Sequence, residues 1–295
     1  MKKFICIDVG GTSIKYGLAN ENGEFIHKDN MDTEALEKGG IGILEKMKII
    51  SKKYIENNDI EGICISTAGM VDPVEGKITY ALEYLIPGYT GIQIKKEIEK
   101  EFNIRCEVEN DVNCAGLGET WLGAGKGASS SVCMTIGTGI GGCVILNNKL
   151  LSGFSNSAGE VGYININGKS FQEIASTTSL IKAVAKAKGI NESEINGKII
   201  FEQAKNNDKE CIEAINNMVD GLAIGIANVC YVVNPEVVIL GGGIMAQEEF
   251  LRPKIEEALK NNLIPSVYDN TRLEFAKRQN DAGMLGALFN YMSCS

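Results

Sequence analysis

Hydrophobic residues along the first part of the chain switch between strand-like and helix-like spacing. Residues 4–8, 14–20 and 24–28, with turns at "GG" and "NENG" between them, predict a three-stranded meander. Residues 41–57 carry apolar side chains at helical intervals, and "EGICIS" and "CEVEN" predict buried strands on either side of the amphipathic helix "IQIKKEIEKEF". The stretch "TAGMVDPVEG" predicts a turn-rich loop, and "DVNCAGLGETWLG" predicts a helix that begins at Asp111. This alternation predicts an α/β layer structure.

The same pattern begins again near residue 131. "SVCMTIGTGIGGCVILNNK" repeats the order of "KFICIDVGGTSIKYGLANEN": an apolar strand, a glycine turn with hydroxyl residues, a second apolar strand and a polar turn. A mainly helical stretch over 172–233 follows, then a strand in "EVVILGGGI", helices over 247–262, a strand in "LEFAK" and a last helix in "AGMLGALFNYM". The repeat predicts two related domains that each open with a hairpin, and the last helix is expected to return to the first domain.

Charge and composition exclude several classes of protein. The chain has 295 residues and a net charge of −9, which disfavours a nucleic-acid surface or a polybasic membrane patch. No apolar run approaches the roughly 20 residues of a membrane span, and the N-terminus starts directly as a strand, so a cytoplasmic protein is expected. The nine cysteines form no C-x-x-C pair and predict buried thiols, and the single histidine, His27, predicts a surface loop position.

Glycine turns at strand ends are the first candidate chemistry. "IGTGIGG" satisfies G-x-G-x-x-G, and Glu160 follows about 20 residues later, but "CVIL" predicts a strand where a dinucleotide-binding fold needs a helix. A glycine hairpin still exposes backbone N–H groups, here beside the hydroxyls of Thr135 and Thr138, and such a concavity binds phosphate. One hairpin alone is more simply a tight turn. Two hairpins and the third turn "GGG" at 241–243 predict a nucleotide held between two domains.

Carboxylates at strand ends are the second candidate chemistry. Asp8 ends the first strand, where it would hold Mg²⁺, through water, beside the phosphates; the alternative is a turn or cap residue. Asp111 stands at a strand-to-helix junction, where a general base would point into a ligand crevice, but Asp is also a preferred helix cap. Glu160 lies between glycines in "AGEVGY", which suits a polar ligand, and a surface-loop glutamate is the alternative.

Together these motifs resemble the ROK family (repressors, open reading frames and kinases) of the sugar-kinase, actin-like ATPase superfamily. "DVGGTSIKYG" and "TIGTGIGG" resemble its two phosphate loops, "LGGGI" its adenosine-side turn, "ENDVNCAGLGE" its catalytic segment and "AGEVGY" its sugar-binding motif. The resemblance runs over nearly the whole chain. It implies two RNase H-like α/β domains with an interdomain cleft: 1–120, completed by a C-terminal helix at 281–295, and a larger nucleotide-binding domain at 121–280.

The resemblance also implies a role for each matching residue. Asp111 would be the catalytic base of an ATP- and Mg²⁺-dependent kinase. "STAG", ending at Gly69, would form the loop under the sugar, and Tyr89 takes the place of the tryptophan in a sugar-facing P-G-W-x-G segment. The implied sugar-binding residues are Gly69, Asn110, Asp111, Glu160, Tyr163 and Glu173. The implied ATP-binding residues are Asp8, Gly10, Gly11, Thr12, Lys15, Thr135, Gly137, Thr138, Gly139, Gly241, Gly242 and Gly243.

Two departures from the family pattern concern zinc. Tyr163 replaces the usual histidine of A-G-E-x-G-H, and residues 164–174 lack the cysteines that normally follow. Both losses remove ligands of one structural zinc, so no zinc site is expected. The glutamate after that motif is assigned to Glu173, although the spacing to "ASTTSL" is one residue short. Members of the zinc-less pattern include glucokinases, β-glucoside kinases and N-acetylmannosamine kinases, among which the sequence does not choose.

The leading hypothesis is therefore a kinase of a hexose or hexose derivative that works as a homodimer. A sugar-responsive transcriptional repressor is the alternative of another class. Family repressors carry an additional N-terminal helix-turn-helix domain of about 70–80 residues, for which a first phosphate strand at Phe4 leaves no room. A catalytically dead sugar sensor is a third hypothesis, and it conflicts with the presence of both Asp8 and Asp111.

Overall fold

The computed structural model describes residues 1–294, which divide into two compact units. Unit one contains Met1–Lys126, Ser152–Ala158 and the C-terminal stretch from Asn280 onward. Unit two contains Gly127–Leu151 and Gly159–Gln279. The mixed α/β architecture with two five-stranded sheets confirms the fold class that the hydrophobic pattern predicts.

Unit one is built on a sheet of order β3-β2-β1-β4-β7. The meander β1–β2–β3 is antiparallel, whereas β4 and β7 extend the sheet in parallel with β1. The strands of unit one are β1 (Lys3–Val9), β2 (Ser13–Asn20), β3 (Phe25–Asp32), β4 (Gly62–Thr67), β5 (Met70–Asp72), β6 (Lys77–Tyr80) and β7 (Cys106–Asn110), of which β5 and β6 form a separate two-stranded sheet. Its helices are α1 (Ala35–Ile55), α2 (Ile94–Phe102), α3 (Asp111–Leu122) and the last helix of the chain, Ala282–Ser293.

Alternation along these strands sends side chains to both faces of the sheet. Ile5 and Ile7 of β1 join a core with residues of α1 and α2, whereas Phe4 and Cys6 pack with residues of the C-terminal helix. That helix also packs against α3, so the final segment of the chain completes unit one. Asp8 continues the Phe4–Cys6 series, which places its carboxylate on the C-terminal-helix side of the sheet.

Unit two repeats the sheet order as β10-β9-β8-β13-β14. An antiparallel meander again meets two parallel strands, which fits the repeat seen in the sequence. Its strands are β8 (Ser131–Ile136), β9 (Ile140–Leu146), β10 (Lys149–Leu150), β11 (Asn165–Ile166), β12 (Lys169–Ser170), β13 (Val237–Gly241) and β14 (Arg272–Phe275). Its helices are α4 (Phe171–Ala175), α5 (Thr177–Lys188), α6 (Gly197–Lys205), α7 (Lys209–Val233), α8 (Glu248–Asn262) and α9 (Pro265–Tyr268). The C-terminal helix Ala282–Ser293, which belongs to unit one, is α10.

Helix α7 is the central helix of unit two. Along the described part of the chain it is the one helix long and apolar enough to cross a membrane by length and composition. It packs against α4, α5, α6 and α8, and its apolar face supplies a large share of the unit's core. This burial is what a core helix shows.

Several predicted boundaries were wrong for local reasons. The stretch predicted as a loop after β4 contains strand β5, which pairs with β6 directly after that stretch to form a hairpin. Helix α1 begins at Ala35, before the predicted 41, and contains non-helical backbone at Gly39, which interrupts the periodicity there. His27 is exposed as predicted, but it lies in strand β3, where it pairs with Leu18, and not in a loop.

Candidate active site

Asn110 and Asp111 mark the point where strand β7 becomes helix α3. The Oδ1 atom of Asn110 accepts hydrogen bonds from the backbone N–H groups of Val112 at 2.9 Å and Asn113 at 3.1 Å. Asn110 is therefore the N-cap of α3, and Asp111 is its first residue. The alternative role considered for Asp111, that of a helix cap, is therefore filled by Asn110.

Asn110 also connects Asp111 to the loop that follows β4. Its Nδ2 atom donates to the carbonyl of Gly69 at 2.9 Å and to Oδ1 of Asp111 at 3.0 Å. Gly69 has a φ of 98°, and a Cβ there would lie 3.0 Å from the carbonyl oxygen of Tyr80, so the loop requires glycine at this position. The predicted sugar-side residues of unit one thus form one hydrogen-bonded group, in which Asn110 orients the Asp111 carboxylate.

Two carboxylates are held in surroundings that favour their protonated forms. Burial, and secondly the charge of Asp8, raise the pKa of Asp111 from its ordinary 3.8 to about 7. Burial also raises the pKa of Asp8, although the Ser66 hydroxyl, which donates to its Oδ1 at 2.6 Å, and the charge of Lys15 oppose the shift. A carboxylate that gains its proton near neutral pH is suited to general-base catalysis.

Asp8 is enclosed by neighbouring strands and by the start of α10. It pairs with Lys15 on β2 and with Ser66 on β4. A Cβ at Gly283 would lie 2.5 Å from Oδ1 of Asp8, so glycine lets α10 begin directly against this carboxylate. Gly283 was missed by the motif reasoning; its position in "DAGMLGAL", after an aspartate at a helix start, was the available signal.

The first glycine turn has a fixed backbone and an open outer surface. The N–H of Gly10 donates to the carbonyl of Ser13 at 3.0 Å, and the Thr33 hydroxyl donates to the carbonyl of Gly10 at 2.7 Å. Gly11 and Thr12 are exposed. A Cβ at Gly11 would meet no heavy atom within 4 Å, and the φ of Gly11 lies outside the left-handed region. Neither conformation nor packing within the protein explains a glycine there.

The second and third glycine turns line one cavity of about 500 Å³ in unit two. Gly137 and Thr138 come from the β8–β9 turn, and Gly243 comes from the turn that follows β13. Gly242, with a φ of 106° and a virtual Cβ 2.2 Å from the Ile136 carbonyl oxygen, lets the two turns touch. Thr135, Gly139 and Gly241 are not among the lining residues: Thr135 pairs with Gly241, and Gly139 lies against the Gln172 side chain.

Helices supply the other wall of this cavity, which motif reasoning missed. The lining side chains are Thr177, Thr178, Ile181, Asn196, Phe201 and Gln247. The N–H of Thr177 donates to the Gly137 carbonyl at 2.9 Å, so the start of α5 holds the second glycine turn in place. The hydroxyl run "STTS" at that helix start was the signal in the sequence.

The "AGEVGY" segment lies directly on strand β9. A Cβ at Gly162 would be 2.1 Å from the Ile140 carbonyl oxygen, and Gly159 and Gly142 make a similar close approach. Its glycines are therefore required by packing, and they leave Glu160 and Tyr163 exposed. Although Glu160 is exposed, the surrounding protein atoms partly desolvate its carboxyl and thereby raise its pKa.

Two further predicted residues are engaged within the protein. The exposed Glu173 closes a capping box on α4, where its Oε2 accepts from the Ser170 N–H at 2.8 Å and from the Ser170 hydroxyl at 2.6 Å; the latter bond lowers its pKa. Tyr89 is fully buried, and its hydroxyl lies 2.5 Å from that of Thr67. Tyr89 supports the loop from beneath and does not expose its ring as a sugar-facing residue would.

Metal ligands are sparse over residues 1–294. No group of three or more His, Cys, Asp or Glu side chains there is arranged to hold a metal ion. Eight cysteines are buried, and Cys294 is exposed. The absence of zinc stays a prediction, which metal analysis of the purified protein tests. Asp8 could serve a Mg²⁺ whose other ligands are water and phosphate oxygens, because such a site needs only one or two carboxylates.

Comparison with known sequences identifies the family. The ROK family model matches residues 4–291. An uncharacterised protein of Clostridium perfringens is 55% identical over 99% of this chain and 98% of its own length. A β-glucoside kinase of Listeria innocua is 33% identical, with 98% and 97% covered. A xylose repressor of Caldicellulosiruptor bescii is 27% identical, over 96% of this chain and 76% of its own.

Solved structures agree with the sequence relatives. A Listeria monocytogenes protein described as a candidate N-acetylmannosamine kinase has a TM-score of 0.87 and 30% identity, with 99% of both chains covered. A Streptomyces griseus ROK glucokinase in complex with glucose and AMPPNP has a TM-score of 0.81 and 26% identity, with 97% and 98% covered. Fold and site therefore define a sugar kinase of the actin-like ATPase fold. Within that class the chain belongs to the ROK family, as its motifs predicted.

Proposed function

We propose that this protein transfers the γ-phosphoryl group of ATP to a hydroxyl of a hexose or hexose derivative, with Asp111 as the general base. The observation that carries this proposal is the Asp111 carboxylate, which is held by Asn110 and the N–H of Val112 and has a pKa of about 7. A sugar hydroxyl is a weak nucleophile, and a carboxylate that accepts its proton during attack makes it a stronger one.

The chain's own residues would supply positioning and charge. Asp111 would accept the hydroxyl proton, while Gly69 and Asn110 fix the loop beneath the sugar. Backbone N–H groups at Gly11 and Thr12 and at Thr138 and Gly139 would bind phosphate oxygens, and the cavity beside Gly243 has a volume suited to a nucleoside. Mg²⁺, when bound with ATP near Asp8, would neutralise phosphate charge. Glu160 and Tyr163 are proposed as sugar contacts, and Glu173 would have to leave its capping box to become one.

The sugar is the open part of the proposal, since relatives include a β-glucoside kinase, a glucokinase and a candidate N-acetylmannosamine kinase. An assay that couples ADP release to NADH oxidation, run with glucose, N-acetylmannosamine, N-acetylglucosamine, fructose and cellobiose, tests the activity and ranks the substrates. If the protein phosphorylates none of these sugars, the kinase proposal is contradicted and a sugar sensor is favoured. Salt-dependent binding of a DNA duplex would favour a repressor.

The pH dependence should report the Asp111 carboxylate. We expect kcat/KM for the sugar to be constant above about pH 7.5 and to fall roughly tenfold per unit below pH 6.5, since only the ionised carboxylate accepts a proton. Two other titratable groups interact with the Asp111 carboxylate, Asp8 and the Tyr89 hydroxyl, and Lys15 interacts with Asp8. Initial rates at saturating ATP between pH 5.5 and 8.5 measure the profile, and a constant kcat/KM over that range would contradict the assignment.

The proposed enzyme is cytoplasmic and a homodimer. We expect sedimentation equilibrium to give about twice the 31.8 kDa of one chain. The same measurement with ATP and sugar present shows whether ligands change the assembly. A mass near 31.8 kDa under both conditions would contradict the dimer.

A further inference from the structure

The cavity in unit two has two distinct ends, a turn end and a far end. At the turn end, the N–H of Thr177 donates to the Gly137 carbonyl, and a Cβ at Gly197, the first residue of α6, would lie 3.6 Å from Cγ2 of Thr177. At the far end lies Gln247, whose Oε1 accepts from Nζ of Lys205, the last residue of α6, at 2.8 Å. Because α6 has nine residues, it separates the two ends by about 13 Å.

Apolar side chains line the cavity together with the groups at its two ends. They are those of Ile181, Phe201 and Ile244. Apolar walls with a few polar groups are typical of sites that bind a flat base. A nucleotide whose phosphates bind at the turn end would extend its base along these side chains toward Gln247. Gln247 is therefore the lining polar side chain that meets the edge of the base.

Gln247 offers a hydrogen-bond donor to the base. A lysine ammonium donates and does not accept, so the atom of Gln247 that Lys205 contacts is the amide oxygen. With the oxygen held in this way, the Nε2 amino group is left for a ligand. Glu248 and Glu249, the carboxylates that follow, line a neighbouring cavity, and Glu248 accepts from Arg252. Among the described residues that line the nucleoside cavity there is no Asp or Glu.

We propose that the nucleotide site accepts 6-oxopurine nucleotides, ITP and GTP, at least as well as ATP, and that Gln247 is the residue that reads the base. This inference rests on the proposed kinase function. Adenine carries an amino group at position 6, which is a donor, whereas hypoxanthine and guanine carry a carbonyl oxygen beside N7, and both of these atoms accept. An amide donor that faces O6 makes a hydrogen bond, but one that faces the adenine amino group leaves two donors unpaired.

The same lining predicts no advantage of GTP over ITP. Guanine differs from hypoxanthine by an amino group at position 2, which is a further donor. A site that selects guanine needs an acceptor for that group, and a carboxylate is the strongest one available. Since no carboxylate lines the described cavity, we expect similar kcat/KM values for the two nucleotides.

The test measures kcat/KM for ATP, ITP and GTP from the sugar phosphate formed, with a saturating sugar that the wild type phosphorylates. Gln247→Glu replaces the amide donor by an acceptor of the same shape and keeps an oxygen for Lys205. Its negative charge repels all three nucleotides alike, so the readout is the ratio of kcat/KM for ITP to that for ATP. We expect a wild-type ratio of one or more, which Gln247→Glu should lower by on the order of tenfold.

Two further variants complete the test. Gln247→Met removes the donor without adding a charge and should lower the ratio in the same direction. Asn216→Asp is the matched control: it lies on α7 outside the cavity lining, and its amide oxygen likewise accepts from a lysine, Nζ of Lys254, at 2.9 Å. This control should leave the ratio unchanged.

The contrary results are distinguishable from a failure of the kinase function. A wild-type ratio below one overturns the proposal, and this measurement needs no variant. The proposal is also overturned if folded Gln247→Glu and Gln247→Met proteins keep the wild-type ratio. In both cases ATP still supports phosphorylation, and the proposed function stands. If none of the three nucleotides supports phosphorylation of any sugar, the proposed function itself fails.

Discussion

Replacement of Asp111 by asparagine is expected to lower kcat for sugar phosphorylation by on the order of 10²–10⁴-fold, because the amide cannot accept the hydroxyl proton. The amide oxygen can still accept from the N–H of Val112, as Oδ1 of Asp111 does at 3.0 Å. The N-cap of α3 is Asn110, which the substitution leaves in place. Asp111→Ala should lose as much activity, and both variants should retain ATP affinity.

The same substitution should increase stability in a pH-dependent way. The folded-state pKa of Asp111 lies above its ordinary value of 3.8, so its ionisation costs stability as pH rises from about 4 through 7. Asparagine removes that cost. The free energy of unfolding of Asp111→Asn should therefore exceed that of the wild type at pH 8 by on the order of 1–3 kcal/mol, and the two should converge near pH 4.

Paired measurements separate a base from a structural residue. Denaturant unfolding at pH 4.5 and 8 and steady-state kinetics at pH 8 would be run on the wild type and on Asp111→Asn. Asp220→Asn, an exposed position on α7, is the control and should change neither quantity. A folded Asp111→Asn protein with near-normal kcat would contradict the catalytic role, whatever its stability.

Long, regular elements were predictable because their pattern repeats several times within one element. Strand β1 alternates between two buried faces, and α7 keeps an apolar face over its whole length, so the spacing alone identifies each. The hairpin β5–β6 was not predictable. Its strands are three and four residues long, with a bulge between Met70 and Val71. Such short and irregular strands show no detectable alternation of apolar and polar residues.

The positions of the candidate site residues were predictable where a short motif lies at the end of a strand. The glycine turns and Asp111 lie at strand ends, because strand and turn occupy contiguous residues. Tyr89 shows the limit: its motif predicts a place near the sugar loop, but only packing decides that its hydroxyl meets Thr67 inside the protein. The helical wall of the unit-two cavity comes from residues such as Asn196 and Phe201, which tertiary packing alone brings to the glycine turns.

The glycine turns give the second large expected effect. Gly11, Gly137 and Gly243 share two properties: none has a left-handed φ, and a Cβ at each would meet no heavy atom within 4 Å. Each lies in a turn predicted to bind the nucleotide. Alanine should therefore fold there without strain, and it should restrict the unfolded chain enough to stabilise the protein by about 0.4–1 kcal/mol. Close approach of the proposed nucleotide to the backbone would explain glycines that the fold itself does not require.

We expect Gly11→Ala and Gly137→Ala to lower kcat/KM for ATP by on the order of 10²-fold, because a methyl group displaces the phosphates from their position for transfer by about an ångström. Thermal unfolding should show an unchanged or slightly higher Tm. Gly242→Ala is the contrasting variant: its φ of 106° and the 2.2 Å approach to the Ile136 carbonyl oxygen predict a lower Tm. Normal ATP kinetics in stable Gly11→Ala and Gly137→Ala proteins would mean that these hairpins are ordinary tight turns, and the nucleotide would have to bind elsewhere.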